Sequence, residues 1–353
     1  MDAFFASVEE ATTRAFSGKP IVVGSEIING VGRGVVSTAN YKAREYGIHS
    51  ALPISVAWRL SEEAKKKGKD GAIFLPVDFE LYNKVSDNIH RIIKKYAETV
   101  EQASIDEFYF SAQGGPASGW DYAVELCKKI KEEIKKEEKI TCSIGISVNK
   151  LVSKIAAGIN KPDGMLLVKE KDVQKFLNPL PIREIPGIGP KTAEIFYKEN
   201  IQTIKDLKKF TLKRLKDLLG KQGEKIYYKA RGIDESPVTE FHEVKSIGEQ
   251  TTFNKNTLEA KPICETFLKL SDSVFKKFLE SEFSKFSNIT ITVRFYDFET
   301  KTSSKSFKNG FDGKHKKDFN LEVLRLVLPF LDKRSNPRRK PVRLIGIRIE
   351  KLS

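Results

Sequence analysis

The run QASIDEFYFSA, residues 102–112, sets two adjacent carboxylates, Asp106 and Glu107, inside an otherwise apolar stretch of strand character. Neighbouring side chains on a regular strand point to opposite faces. Both acids therefore reach one centre only if the chain bends there, at a strand end or hairpin. Two carboxylates held that close repel unless a cation sits between them, and Mg²⁺ is the hard, oxygen-seeking ion that suits phosphate chemistry. A solvated acidic turn is the competing reading, because charged side chains mostly lie at the surface.

Around this run, AIFLPVD (72–78), a helix over Leu81–Thr99, the strand KITCSIGIS (139–147) and helices near Ala123–Lys136 and Leu151–Ile159 alternate as in a layered α/β unit with a sheet at its centre. Upstream, Phe4, Phe5 and Val8 of DAFFASVEE predict an opening helix with Asp2 as its cap. KPIVVG (19–24) and NGVGRGVVSTANYKAREYG (29–47) follow as a small glycine-rich lobe with two short strands and a basic helix start. Downstream, Val173–Gly232 carries only helical periodicity, broken at PGIGP (186–190) and at Gly220–Gly223. The polar DESPVTEFHEV (234–244) predicts a linker. Three alternating runs, KSIGEQTTF, NITITVRFYDF and KPVRLIGIRIEKL, with helices near Ile263–Leu279 and Asn320–Leu331, predict a second small α/β domain.

A chain of 353 residues is expected to hold two to four domains of about 60 to 150 residues each. Lys and Arg number 62 against 47 Asp and Glu, a formal charge of +15. From Lys301 onward fifteen basic residues face five acidic ones. That balance points to a polyanionic partner or to a solvated basic surface. Cys127, Cys142 and Cys264 are far apart, without a C-x-x-C pair or a His at ligand spacing, so neither a disulfide framework nor a zinc site is predicted. No apolar run approaches the roughly 20 residues of a membrane span, and no secretory leader is visible. A soluble, cytoplasmic protein without a membrane partner is expected.

Two further constellations matter. PGIGPK, with Gly187, Gly189 and Lys191, is a tight turn into a helix, where backbone N–H groups and a lysine favour a phosphate; a plain helix–helix turn is the alternative. Tyr41 and Arg44, three apart, share a helix face just after Thr38. Lys150 and Lys154, four apart, share another, with Lys161 beyond. Each is unremarkable alone; together they could clamp a triphosphate.

Seven stretches in order, DAFFASVE, GKPIVVG, STANYKAREYGIHSALP, ASIDEFYF, TCSIGISVNKLVSKIAAGINKPDG, IPGIGPKTA and KSIGEQTTF, resemble the Y-family translesion DNA polymerases of the DNA polymerase IV type. The resemblance implies an α+β multidomain right hand: an α/β palm (1–10 and 70–165), small fingers (11–69), an all-helical, helix-hairpin-helix thumb (166–233), a linker (234–241) and an α/β little finger (242–353). It implies low-fidelity, template-directed DNA synthesis past damaged bases, with primer–template DNA and dNTP as partners and two Mg²⁺ ions as cofactors. Asp106 and Glu107 match the metal-binding catalytic carboxylates, with Met1 as a further metal position. Phe5 resembles the steric gate against a ribose 2′-hydroxyl, Phe4 lies beside it, and Thr38, Tyr41, Arg44 and Lys161 match the residues that hold the triphosphate. Gly187, Gly189 and Lys191 of the thumb, and Arg338, Arg339 and Lys340 of the little finger, are the expected DNA contacts.

In the family, a buried strand ending H-V-D-M or similar precedes this opening helix, and its aspartate is the second carboxylate bridging both metals. The sequence opens at the Met that follows. The resemblance therefore implies that this aspartate and a central palm strand lie outside the sequence, through an upstream start or in a degenerate member that binds DNA without polymerising. In either case the chain as it stands is expected to show little or no extension. A sliding clamp is a further partner of the family, although no clamp-docking tail follows KLS.

Overall fold

The computed structural model describes residues 1–28, 30, 32–112, 119–241, 243–332 and 335–353. The chain divides into two units, Met1–Phe241 and His242–Ser353.

In the first unit α1 (Phe4–Thr12) turns Phe4, Ala6 and Val8 inward. Asp2 does not cap it, contrary to expectation: the helix starts after Ala3, which is left-handed at φ 46°, and Asp2 is drawn into the interior instead. β1 (Ile21–Gly24), buried throughout, pairs antiparallel with β2 (Val36–Ala39) and parallel with β3 (Ile73–Leu75). The strand in AIFLPVD thus belongs to the sheet of the glycine-rich lobe, in which Asn29 and Val31 lie outside the described residues. α2 (Tyr41–Arg44) is capped by the Asn40 side chain, which accepts from the Ala43 N–H at 3.1 Å. α3 (Ile54–Lys66) closes the lobe by packing Ile54 and Ala57 with Val22, Val36 and Ala43.

The long helix α4 spans Phe79–Lys94, where Leu81–Thr99 was expected. Asp78 caps it by accepting from the Leu81 N–H at 3.0 Å, and the chain turns after Lys94 so that Val100 can enter β4 (Val100–Gln102). β4 forms a hairpin with β5 (Phe108–Phe110). α5 (Gly119–Glu137) buries Leu126, Cys127, Ile130 and Ile134. β6 (Ile144–Ile146) runs into α6 (Lys150–Ile159) and pairs in parallel with β7 (Met165–Leu167). The single central sheet expected from the pattern is therefore two separate pieces, and among the described residues no ladder joins β5 to β6. Both face a cleft of about 1020 Å³ lined by Ile93, Cys127, Ile130 and Ile134. The first residues bridge the two pieces: Met1 N donates to the Asp106 carbonyl at 2.6 Å, and Asp2 N to the Thr141 carbonyl at 3.2 Å.

α7 (Val173–Leu177), α8 (Pro190–Lys198), α9 (Ile204–Leu207), α10 (Leu212–Leu219) and α11 (Lys221–Ala230) form the helical part foreseen from the periodicity. Leu151, Val152 and Ile155 of α6 share one core with Phe196, Leu207, Leu215 and Ile226, so a division at 165/166 runs through continuous packing. The following segment is tied down. Leu151 N donates to Asp234 Oδ2, Thr239 N to Glu101 Oε2 and Val100 N to Glu240 Oε1, each at 3.1 Å.

The second unit orders β8 (Ser246–Thr257), β9 (Phe286–Phe295), β10 (Thr300–Phe311) and β11 (Val342–Leu352) as β10-β9-β11-β8, all antiparallel. α12 (Ala260–Leu279) and α13 (Lys316–Leu331) supply Phe267, Phe275, Phe278, Phe319 and Val327 to the core against Ile289, Ile291, Ile345 and Ile347. β10 is a strand that the sequence pattern did not reveal. Its run TKTSSKSFKNGF lies at the edge of the sheet, where serine and lysine are tolerated because few of its residues are buried.

Candidate active site

The β4–β5 hairpin carries the two carboxylates in its turn. The N–H groups of Ala103 and Ser104 donate to the Glu107 carbonyl at 2.9 and 3.2 Å, so strand alternation is broken where the acids sit, and both side chains line the cleft. Ser86, buried on α4, holds the turn: its hydroxyl donates to the Ile105 carbonyl at 2.6 Å and accepts from Gln102 Nε2 at 3.0 Å. Ser104 Oγ donates to Asp106 Oδ1 at 2.9 Å. Glu107 Oε1 accepts from the Tyr109 hydroxyl at 3.0 Å and pairs with the Lys154 ammonium. Burial pushes the Glu107 carboxyl up, but the Lys154 and Tyr109 bonds outweigh it and hold the group below the usual range. Burial, reinforced by the Glu107 charge, raises the Tyr109 phenol strongly, which keeps it a donor.

Lys161 Nζ donates to the Met1 carbonyl at 2.8 Å, so Met1, Asp106 and Glu107 line the cleft with the Lys154 and Lys161 ammonium groups and the Met1 amine on their oxygen atoms. Asp2 serves a different purpose. It is 1% exposed, and its carboxylate accepts from the Asp163 N–H and Ser143 Oγ at 2.8 Å and from Thr141 Oγ1 at 3.0 Å, with Lys161 Nζ at 3.5 Å. Burial raises this carboxyl, yet the bonds from Asp163, Ser143 and Thr141 and the Lys161 charge together leave it below its ordinary value.

Phe5 is half-buried, stacked on the Tyr82 ring at 4.2 Å and 11° and met edge-on by Phe79 at 6.1 Å. The Tyr82 hydroxyl is anchored to Glu9 Oε1 at 2.6 Å. Phe4, expected beside the nucleotide, is a core residue at 2% exposure, because the helix turns its ring inward; its side chain has no access to a ligand. Thr38 is half-buried on β2, opposite Val23. Arg44 lies over the Tyr41 ring at 4.6 Å and donates from Nε to the Ala39 carbonyl at 2.9 Å. The Tyr41 hydroxyl is sealed from solvent with no hydrogen-bond partner among the described residues, and burial raises its pKa. An orphaned buried hydroxyl of this kind calls for a ligand oxygen or a water.

Lys150 is not part of the expected clamp. Its ammonium is spent on both Glu101 oxygens, at 2.8 and 3.0 Å, and on the Pro237 carbonyl. At PGIGP, Gly187 takes φ 101°, a Cβ at Gly189 would meet nothing within 4 Å, and Lys191 is exposed at the start of α8. In the second unit Lys340 is held by Asp297 and Glu299, whereas Arg338 and Arg339 are exposed. Sequence reasoning missed Ser86, Tyr109 and the contact of Lys154 with Glu107. The signals were a serine at an inward helical position, a tyrosine two residues beyond the acids, and a lysine four after Lys150.

The model of the impB/mucB/samB family matches residues 1–158, that of the DNA polymerase-iota thumb domain 183–234, and that of the impB/mucB/samB C-terminal domain 244–353. DNA polymerase IV 2 of Methanosarcina mazei is 41% identical over 306 residues, covering 87% of this chain and 80% of the relative. DNA polymerase IV of Methanoculleus marisnigri is 36% identical over 357 positions, covering 100% and 92%. Among solved structures, a chimeric Y-family DNA polymerase superposes with a TM-score of 0.84 at 30% identity, over 99% of this chain and 97% of that one. With a bent acidic turn, an aromatic stack on Phe5, a helical thumb and a four-stranded C-terminal sheet in the matched order, the chain belongs to the impB/mucB/samB family, the Y-family DNA polymerases of the DNA polymerase IV type.

Proposed function

We propose that the chain transfers a nucleotidyl group from a dNTP to a primer 3′-hydroxyl, directed by a template and tolerant of damaged bases, with Asp106 and Glu107 holding two Mg²⁺ ions. The observation that carries this is the acidic turn, whose Glu107 carboxylate is paired with the Lys154 ammonium while the neighbouring Met1 carbonyl is faced by Lys161. Ammonium groups and hard cations seek the same oxygen atoms. Among the described residues no three Asp, Glu, His or Cys side chains converge, but Mg²⁺ is commonly held by one or two carboxylates, with water and substrate phosphate completing its shell. The donor set fits. Bound there, the metal would lower the pKa of the primer hydroxyl and hold the leaving pyrophosphate.

The protein's own groups do the rest. Arg44, Lys161 and the unpartnered Tyr41 hydroxyl hold the triphosphate, with Thr38 beside them. Phe5, wedged between Tyr82 and Phe79, fills the space of a ribose 2′-hydroxyl. Gly187, Gly189 and Lys191 offer an open backbone turn to a DNA phosphate. In the second unit the sheet face away from the helices is lined in register by Thr252, Leu344, Arg294 and Thr300, by Gln250, Gly346, Thr292 and Thr302, and by Gly248, Arg348, Thr290 and Ser304. Short hydroxyl and amide side chains with interspersed arginines suit a sugar–phosphate backbone without selecting bases.

The test is Asp106→Ala in a primer-extension assay with parallel DNA-binding measurements, made in a protein that carries the family's full palm. Extension is expected to fall roughly a thousandfold or more, the scale of lost metal-borne charge stabilisation, with primer–template affinity unchanged. Near-normal extension would rule out the site.

A further inference from the structure

We propose that Lys154 is the protein's own counter-ion for Glu107 and exchanges partners during binding, giving up the carboxylate when a divalent cation takes it and turning to a phosphate of the incoming nucleotide. The inference rests on the metal-site reading of Asp106 and Glu107 given above, and it assigns Lys154 a positioning role.

Two lysines one turn apart on α6 reach the same hairpin, and they differ in burial. Lys150 grips Glu101 on β4 with side chains 16% and 7% exposed, and the pair is completed by the Thr239 N–H and the Pro237 carbonyl. A buried, fully bonded pair of this kind is costly to break. It sets α6 at a fixed distance from the hairpin, together with the Asn149 cap, which accepts from the Val152 N–H at 3.0 Å. Lys154, one turn on, meets Glu107 with side chains 40% and 34% exposed. A half-exposed pair contributes little and yields readily to a divalent cation on the same oxygen. The backbone that delivers Lys154 is rigid while its ion pair is exchangeable.

The surroundings say where the released ammonium goes. Lys154 lines the same cleft as Met1, Asp106, Glu107 and Lys161. Lys161 shows the same habit, resting on the Met1 carbonyl at 2.8 Å. When its carboxylate is taken, Lys154 is left as an uncompensated cation in the cleft to which a triphosphate comes. Tyr109 keeps Glu107 in place during the exchange, because its hydroxyl donates to the same Oε1 at 3.0 Å independently of the lysine.

The experiment is titration of the full chain with Mn²⁺ alone, following free Mn²⁺ by electron paramagnetic resonance, then repeated with a non-hydrolysable dNTP analogue. Asp106→Asn and Glu107→Gln are expected to weaken Mn²⁺ binding; if neither does, the metal-site reading fails and the inference falls with it. Lys154→Gln is expected to bind Mn²⁺ about fivefold more tightly than the unmodified chain, on the scale of one half-exposed ion pair. It is also expected to bind the nucleotide analogue more weakly, and Lys154→Arg is expected to restore both values. A lysine that merely braced Glu107 would on removal leave Mn²⁺ affinity unchanged or lower. Either result, with Asp106→Asn behaving as expected and thermal unfolding of Lys154→Gln unaltered, overturns the exchange while leaving the metal site standing.

Discussion

The two units use β-structure in opposite ways. In Met1–Phe241 the strands run three or four residues, and what matters happens where they end: the acids sit in a turn, and the strand edges face a cleft. In His242–Ser353 the strands run ten to twelve residues, and what matters is the face they lay down, with one side packed under two helices and the other left polar. Short strands let the chain change direction and bring neighbouring side chains to one point. Long strands repeat every second residue and build a surface that no single residue dominates. On the proposed reading, the chemistry falls to the first arrangement and a share of the DNA grip to the second.

The comparison breaks most sharply at Phe5. Phe5→Ala removes the ring stacked on Tyr82, and discrimination between dNTP and rNTP is expected to fall about 10- to 100-fold, as for loss of a close packing wall. Primer–template affinity should not move, since the grip lies elsewhere. Single-nucleotide addition with both sugars measures it, and unchanged selectivity would remove Phe5 from that role.

Asp2 separates scaffold from chemistry within the first unit. Asp2→Asn is expected to cost about 1.5 to 3 kcal/mol of stability, the scale of hydrogen bonds to a buried charge. Because the folded-state value of Asp2 is depressed, its contribution is complete above its ordinary value of about 4 and is lost as pH falls through the lower folded-state value. The variant's deficit in Tm should therefore be full near neutrality and shrink in acid; a constant deficit would contradict the assignment.

The smallest effect concerns the second unit. Neutralising Arg338 and Arg339 should lower the slope of log affinity against log salt by about 1.8, at about 0.9 per lost phosphate contact on duplex DNA. Adding Lys340→Ala should change it no further, because Asp297 and Glu299 already hold that ammonium. Parallel salt lines for all three proteins would assign the basic run to solvent.

Local rules read well wherever one short stretch carries its own physics. The helical region after Val173, the three strands with apolar alternation and the bend at Asp106–Glu107 were all legible, because periodicity and the repulsion of adjacent carboxylates need no distant partner. Legibility failed where a residue had two plausible fates. Asp2 is as good a helix cap as a buried acceptor, and only the arrival of Thr141, Ser143 and Asp163, far along the chain, decides for the second. Phe4 and Phe5 are the same residue type side by side, and the direction of α1 alone sends one to the core and leaves the other half-buried against Tyr82 and Phe79. β10 was hidden because its run TKTSSKSFKNGF is almost wholly polar and offers too few apolar residues to show alternation.

The sequence by itself determined most of the element types, β10 excepted, along with the acidic turn, the family and the excess of positive charge, since these follow from local spacing and composition. Tertiary structure alone decided which lysines are spent and which are available. Lys150, Lys154 and Lys161 are indistinguishable as letters, yet one is buried on Glu101, one rests half-exposed on Glu107 and one reaches the Met1 carbonyl. The physical reason is that a charge's worth depends on the water it loses and the partner it meets, and both are set by segments about 50 to 160 residues away in sequence.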